Sequence, residues 1–227
     1  MPAGRGRAYR TTPGTGIIHP YGDWELTEKR ERTVPLLGPD DPLPVRPRRV
    51  LVAGSSGSGK TTVAVRLAEV LGVPRFELDA LFHGPGWVPR PTFEAEVRAL
   101  AAGPSWVTEW QYAAVRAPLA ARADLLVWLD LPRHRVMRQV AARTLRRRLR
   151  RTELWNGNRE PPLRTILTDP EHIVRWAWNT HHRTGERVAG LRAERPELPI
   201  VRLRGRREVD DWLVRWCAPR SAGEQPR

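Results

Sequence analysis

An α/β fold, a five-stranded parallel sheet flanked by helices, is the architecture this chain predicts, on three observations. Short apolar runs recur from Arg49 onward, the stretches between them carry helical periodicity, and the first run feeds a glycine-rich turn that opens a helix. The runs are Val50–Ala53, Phe76–Leu78, Trp106–Thr108, Leu125–Leu129 and Ile200–Leu203, each of strand length. Helices are predicted over Lys60–Leu71, Thr92–Ala102, Ala113–Arg122, Pro132–Arg151, Pro170–Arg195 and Arg207–Trp216. No internal repeat is visible.

With 227 residues and 40% hydrophobic content the chain can bury one sizeable core, expected over residues 48–217. Residues 1–47 are rich in Pro, Gly and Arg, with turn signals at Pro13-Gly14, Gly38-Pro39 and Asp40-Asp41-Pro42, and read as an irregular N-terminal extension. Ile17, Ile18, Tyr21, Trp24 and Leu26 are apolar enough to dock on the domain. Residues 218–227 read as a disordered tail. The net charge of +14 favours polyanions such as nucleotides, nucleic acids or anionic surfaces. Only Lys29 and Lys60 among the 39 basic residues are not arginine, a bias that fits a solvated surface as well as a nucleic-acid role. The single cysteine, Cys217, has no partner for an intramolecular disulfide, which fits a reducing, cytoplasmic setting. No run of about 18 apolar residues appears that would cross a membrane.

The strongest motif is Gly54-Ser55-Ser56-Gly57-Ser58-Gly59-Lys60-Thr61, followed by Thr62, which matches the phosphate-binding G-x-x-x-x-G-K-[ST] pattern with a strand before it and a helix after it. Glycines let the backbone turn its N–H groups inward as an anion nest, and the helix points its positive end at the same phosphates. Lys60 is expected to reach the β- and γ-phosphates of ATP, and Thr61 to offer its hydroxyl to Mg²⁺.

Further residues follow this loop in a recurring arrangement. Phe76-Glu77-Leu78-Asp79-Ala80-Leu81-Phe82-His83-Gly84-Pro85-Gly86-Trp87 combines a Leu-Asp with a Pro-Gly-Trp; Trp106–Tyr112, Leu129-Asp130-Leu131-Pro132-Arg133 and Ile200-Val201-Arg202-Leu203 with Arg207-Glu208-Val209 continue the pattern. Over residues 49–214 the chain resembles the topology modulation proteins, relatives of adenylate kinase. The resemblance implies a small P-loop kinase fold with a helical lid, in which Asp79 orients the phosphoryl acceptor and Glu109 serves the metal or the acceptor. His83, Gly84, Pro85 and Trp87 are placed by it near the acceptor pocket. Where that family has Asp-Gly-Asn-Tyr, this chain has Glu109-Trp110-Gln111-Tyr112, so a longer acid stands at the metal position and Trp110 is expected to crowd or reshape the acceptor site. Asp130 reads either as a metal-linked aspartate or, beside Pro132, as a structural helix start.

The Pro132–Arg151 helix carries Val136, Met137, Val140, Ala141, Leu145 and Leu149 on one stripe, with nine arginines around it. The resemblance places Arg143, with Arg147 one turn on, among lid arginines that stabilise charge developing on a transferring phosphoryl group. Gln139 stands where an adenine-stacking arginine is usual, and Gly205 where backbone groups meet adenine. The lid is expected over about 143–168, with Trp155-Asn156-Gly157-Asn158-Arg159 and Pro161-Pro162 as loop and hinge, before a helix capped by Asp169-Pro170. His181 and His182, adjacent on a helix, point about 100° apart and cannot share one metal.

The resulting expectation is a kinase that uses ATP and Mg²⁺ to phosphorylate a small acceptor, a nucleotide or another small molecule. Two other readings stay open: an ATP-gated nucleic-acid-binding or regulatory protein, and a nucleotide-binding protein without kinase activity.

Overall fold

The computed structural model describes residues 34–44, 46–149, 156 and 178–217, without the side chains of 147–149 and 216–217. In chain order the elements are β1 (Leu36–Leu37), β2 (Arg49–Gly54), α1 (Lys60–Leu71), α2 (Leu78–Phe82), a 3₁₀ turn (Pro85–Trp87), α3 (Phe93–Ala101), β3 (Trp106–Glu109), α4 (Ala113–Arg122), β4 (Leu125–Leu129), α5 (Arg133–Leu149), α6 (Arg183–Glu194), β5 (Ile200–Leu203) and α7 (Arg206–Cys217). All strand pairs are parallel, in the order β1-β5-β4-β2-β3.

Side-chain alternation explains why this sheet is buried on both faces. Val50 and Val52 of β2 pack with Val127, Val201, Val63 and Leu67 on the face covered by α1, α5 and α7. Leu51 and Ala53 pack with Leu126, Ile200, Val97, Leu119 and Leu191 on the face covered by α3, α4 and α6. Apolar residues at both parities leave neither face suited to water, so helices must cover both.

Five parallel strands form as expected, but one differs from the prediction. Phe76–Leu78 is not a strand: its ladder pairing with β3 is limited to one isolated bridge, at the preceding Arg75 with Val107, and Leu78 already begins α2, where its side chain enters the core. Its apolar residues are consumed by a turn into a helix rather than by a ladder. The fifth strand is Leu36–Leu37, inside the stretch expected to be an irregular extension. It pairs Leu36 with Ile200 and Leu37 with Val201, and Val34 N–H donates to the Pro196 carbonyl at 2.9 Å. Two residues between prolines are too few to show periodicity, and only burial of Leu37 and Leu43 reveals that this segment belongs to the core. The helix predicted over Pro170–Arg195 is interrupted by a turn at His181-His182, and its Asp169-Pro170 start lies outside the described residues. Among the described residues no helix is long and apolar enough to cross a membrane.

β2 has β3 on one side and β4 on the other, so the chain reverses its direction of winding at the carboxyl end of β2. Open α/β sheets form their ligand crevice at such a switch point. The opposite end of β2 is pinned by Asp124, which accepts the Arg48 and Arg49 backbone N–H groups at 3.1 and 3.0 Å and the Arg49 guanidinium at 2.6 Å. Burial raises the Asp124 carboxyl pKa, but the hydrogen bonds from Arg49 and Arg48 together outweigh it and leave the group below its usual range. A carboxyl depressed in the folded state contributes stability above its unfolded-state value and loses it as pH falls through the folded value. Asp124→Asn is therefore expected to lower unfolding free energy at pH 7 by about 1–2 kcal/mol in urea titrations. The gap from wild type should close below about pH 4.

Candidate active site

At the carboxyl end of β2 the chain passes from Gly54 into the phosphate loop, with Gly57 and Gly59 at φ 83° and 95°, the left-handed region glycine adopts without penalty. Ser58 N–H donates to the Ser55 carbonyl at 3.1 Å, and Val63 N–H to the Gly59 carbonyl at 3.0 Å as α1 begins. Lys60 folds back so that Nζ donates to the Ser55 carbonyl at 3.3 Å, which spans the loop with its charge. Ser55 and Ser58 are buried, while Ser56, Thr61 and Thr62 are solvent-accessible. Gly57 meets α5 closely: a Cβ there would lie 2.2 Å from Cγ2 of Val140 and 3.5 Å from the Val136 carbonyl. The apolar stripe of the arginine helix is thus the seat of the loop, a contact the sequence did not disclose.

β3 brings the acid. The register pairs Val52 with Glu109, and Trp110 N–H continues the ladder to the Val52 carbonyl at 2.9 Å, so Glu109 emerges beside the loop. It is 4% exposed, accepts the Thr61 hydroxyl at 2.7 Å on Oε1, and has Lys60 Nζ 3.7 Å from Oε2. Loop, lysine, hydroxyl and carboxylate therefore meet at one place. Thr61 and Glu109 together present hard oxygen donors of the kind magnesium binds in company with nucleotide phosphates.

Asp79 lies on the second residue of α2, where Glu77 rather than Asp79 is the cap. Its Oδ1 accepts both Gln111 Nε2 at 2.7 Å and the Tyr112 hydroxyl at 2.6 Å. The segment 109–112 thus carries one carboxylate and grips another. Burial raises the Tyr112 pKa far above normal, and Asp79 and Glu109 reinforce the shift, so the phenol keeps its proton and directs it to Asp79. With that hydrogen committed, His83 Nε2, 3.3 Å from the phenol oxygen, is the donor of their contact. Burial lowers the His83 pKa, against the opposing pull of Asp79, and favours the neutral ring. Tyr112 as a partner of Asp79 was not legible in the sequence, since 33 positions separate them.

The other candidates lie around this centre. Trp110 turns its indole toward α4, where Nε1 donates to the Arg116 carbonyl at 3.1 Å. Asp130 is held by the Arg202 guanidinium, with Nε at 2.8 Å, and Arg202 stacks 4.7 Å above Trp128. Gly205 faces Arg135, whose Nη1 lies 3.3 Å from where a Cβ would stand. Arg143 follows Val140 along α5, half-buried with its Nε out of solvent. Arg147 is within α5, but its side chain, like most of the predicted lid at 143–168, lies outside the described residues. His181 Nε2 contacts the Leu131 carbonyl at 2.9 Å.

A parallel α/β sheet whose switch-point strand enters a G-x-x-x-x-G-K-T loop, with a lysine, a hydroxyl and a buried carboxylate around it, defines a P-loop nucleotide-binding fold. Among solved structures the chain is similar to a gluconokinase from Sinorhizobium meliloti 1021, at 21% identity over 75% of this chain and 94% of that one, with a TM-score of 0.43. It is also similar to a sugar kinase from Janibacter sp. HTCC2649 (20% identity, 80% and 92% coverage, TM-score 0.40) and a shikimate kinase from Bacteroides thetaiotaomicron (16%, 74% and 95%, TM-score 0.41). No family model and no curated protein matches the chain. Similarity this distant carries no functional argument, and the site geometry must carry it instead.

Gly57→Ala combines a left-handed backbone with a 2.2 Å approach to Val140. The variant is expected to weaken Mg²⁺-ATP binding at least about tenfold in calorimetry while circular dichroism shows the fold retained, because strain of about 1–3 kcal/mol is localised in the loop.

Proposed function

We propose that this protein is an Mg²⁺-ATP-dependent kinase that transfers the γ-phosphoryl group to a hydroxyl of a small acceptor. The observation that supports it most is that Glu109-Trp110-Gln111-Tyr112 joins two carboxylates in one site, Glu109 at the phosphate loop and Asp79 beyond it. A phosphate-binding loop needs only the first. A second carboxylate, oriented by two donors and set in an aromatic pocket, suits a hydroxyl that must be positioned and deprotonated.

In this reading Lys60 and the loop N–H groups hold the β- and γ-phosphates. Thr61 and Glu109 would hold magnesium, which would supply charge neutralisation on the phosphate oxygens. Asp79 hydrogen-bonds the acceptor hydroxyl through Oδ2. As the acceptor oxygen forms its bond to the γ-phosphorus, the bond from that phosphorus to the β,γ-bridging oxygen breaks, ADP departs, and the hydroxyl proton passes to Asp79. Arg143 and Arg147 are assigned to the lid, where they meet charge on the transferring group.

Lys60→Ala should weaken Mg²⁺-ATP binding and cut phosphoryl transfer by about two orders of magnitude or more. Unchanged binding and turnover in that variant would discard the nucleotide-site assignment. Asp79→Asn should leave Mg²⁺-ATP affinity within about twofold but remove the acceptor-stimulated part of ADP release. Acceptor-stimulated release at the wild-type rate would move the acceptor site away from Asp79.

A further inference from the structure

The lysine of the phosphate loop is already committed within the protein. Among the described residues its ammonium has two partners, the Ser55 carbonyl at 3.3 Å and Glu109 Oε2 at 3.7 Å. The Glu109 carboxylate has two as well, the Thr61 hydroxyl at 2.7 Å on Oε1 and Lys60 on Oε2. Both side chains are largely withdrawn from water, Lys60 at 11% exposure and Glu109 at 5%. The charge with which the loop would meet a phosphate is thus spent on a carboxylate that β3 delivers at fixed register.

The two forms in which a nucleotide can arrive differ in what they do to this pair. A phosphate chain without a metal must draw the ammonium off Glu109 to bind it. That leaves a buried carboxylate with one hydroxyl donor, and a carboxylate so placed loses the pairing that made its burial tolerable. The newly bound phosphate adds a like charge beside it. A phosphate chain that arrives with a divalent cation brings the replacement with it. The cation's charge would stand in for the ammonium at Glu109, and Lys60 would be released to the phosphates. Thr61 suits the same exchange, because its oxygen keeps lone pairs for a cation after its single hydrogen has gone to Oε1.

We propose that Glu109, beyond holding magnesium, is a selectivity residue: by retaining the Lys60 ammonium it closes the phosphate loop to metal-free nucleotide and admits nucleotide as its magnesium complex. This rests on the nucleotide-binding part of the kinase reading and is independent of the acceptor and of phosphoryl transfer. The coupling is reciprocal, so nucleotide must raise the affinity for the metal by the same factor.

Binding of the non-hydrolysable β,γ-imido analogue of ATP to wild type and to Glu109→Gln, measured by calorimetry in excess magnesium and in EDTA, tests it. Wild type is expected to bind at least about tenfold more tightly in magnesium than in EDTA. Glu109→Gln removes the charge and keeps the length of the side chain. It is expected to bind the metal-free analogue at least about tenfold more tightly than wild type does, with affinity in magnesium level or lower, so that the ratio between the two conditions shrinks. Glu109→Ala, which also frees Lys60, carries the same expectation and replaces the first variant if circular dichroism shows that one unfolded. A role confined to holding the metal gives a different pattern, weaker binding in magnesium with binding in EDTA unchanged. That pattern, a loss in both conditions, or a wild-type protein that binds equally in the two overturns the inference and leaves the nucleotide site standing. Wild-type protein that binds the analogue in neither condition overturns the nucleotide-site reading itself, and the inference with it.

Discussion

The register of β2 against β3 is the constraint on which the site depends. Pairing Val52 with Glu109 sets the end of β3 level with the start of the phosphate loop, so a carboxylate carried on a buried strand arrives beside Thr61 and Lys60 without any loop having to reach for it. Parallel pairing is specified by the apolar faces of the strands, and a slip of one residue would turn Glu109 away and drive Thr108 to the other face. The charge on Glu109 is thus delivered by the same hydrophobic pattern that builds the core. Its burial is tolerable because both oxygens have partners, a hydroxyl and an ammonium.

The contact between Gly57 and Val140 links that centre to α5. A tight loop gains precision when one side is packed against a rigid helix, and the Val136 and Val140 stripe provides this seat. Arg143 lies one turn farther on the same helix, so loop and arginine share a support. Any displacement of α5 acts on the phosphate loop directly, through van der Waals contact rather than through intervening structure.

Much of this was legible in the sequence, and the exceptions have physical reasons. The Lys60–Leu71 and Ala113–Arg122 helices were predicted to the residue, because loop and turn signals bracket strong apolar stripes. The phosphate loop was legible because its chemistry is local and its glycines are required by backbone geometry. Phe76–Leu78 misled because a short apolar run carries no information on whether its residues enter the core from a strand or from the first turn of a helix. Leu36–Leu37 escaped because an edge strand of two residues is defined by its partner and not by its own pattern. The bonds from Gln111 and Tyr112 to Asp79 were out of reach for a similar reason: a side-chain pairing across 32 and 33 positions exists only once β3 is aligned with the segment before α2.

Glu109 and Trp110 part in direction as the chain leaves β3. The Glu109 carboxylate lies 2.7 Å from the Thr61 hydroxyl, and the Trp110 indole, hydrogen-bonded to Arg116 of α4, spends its bulk against the helix side of the fold. Successive residues leaving a strand point to opposite faces. Glu109 takes the face of the phosphate loop and Trp110 the face of α4, after which the chain bends at Gln111 and Tyr112 to meet Asp79. The strained backbone at Tyr112 is what this bend requires: the ring must leave the helical direction of α4 to stack on Phe82 while its hydroxyl still reaches the carboxylate.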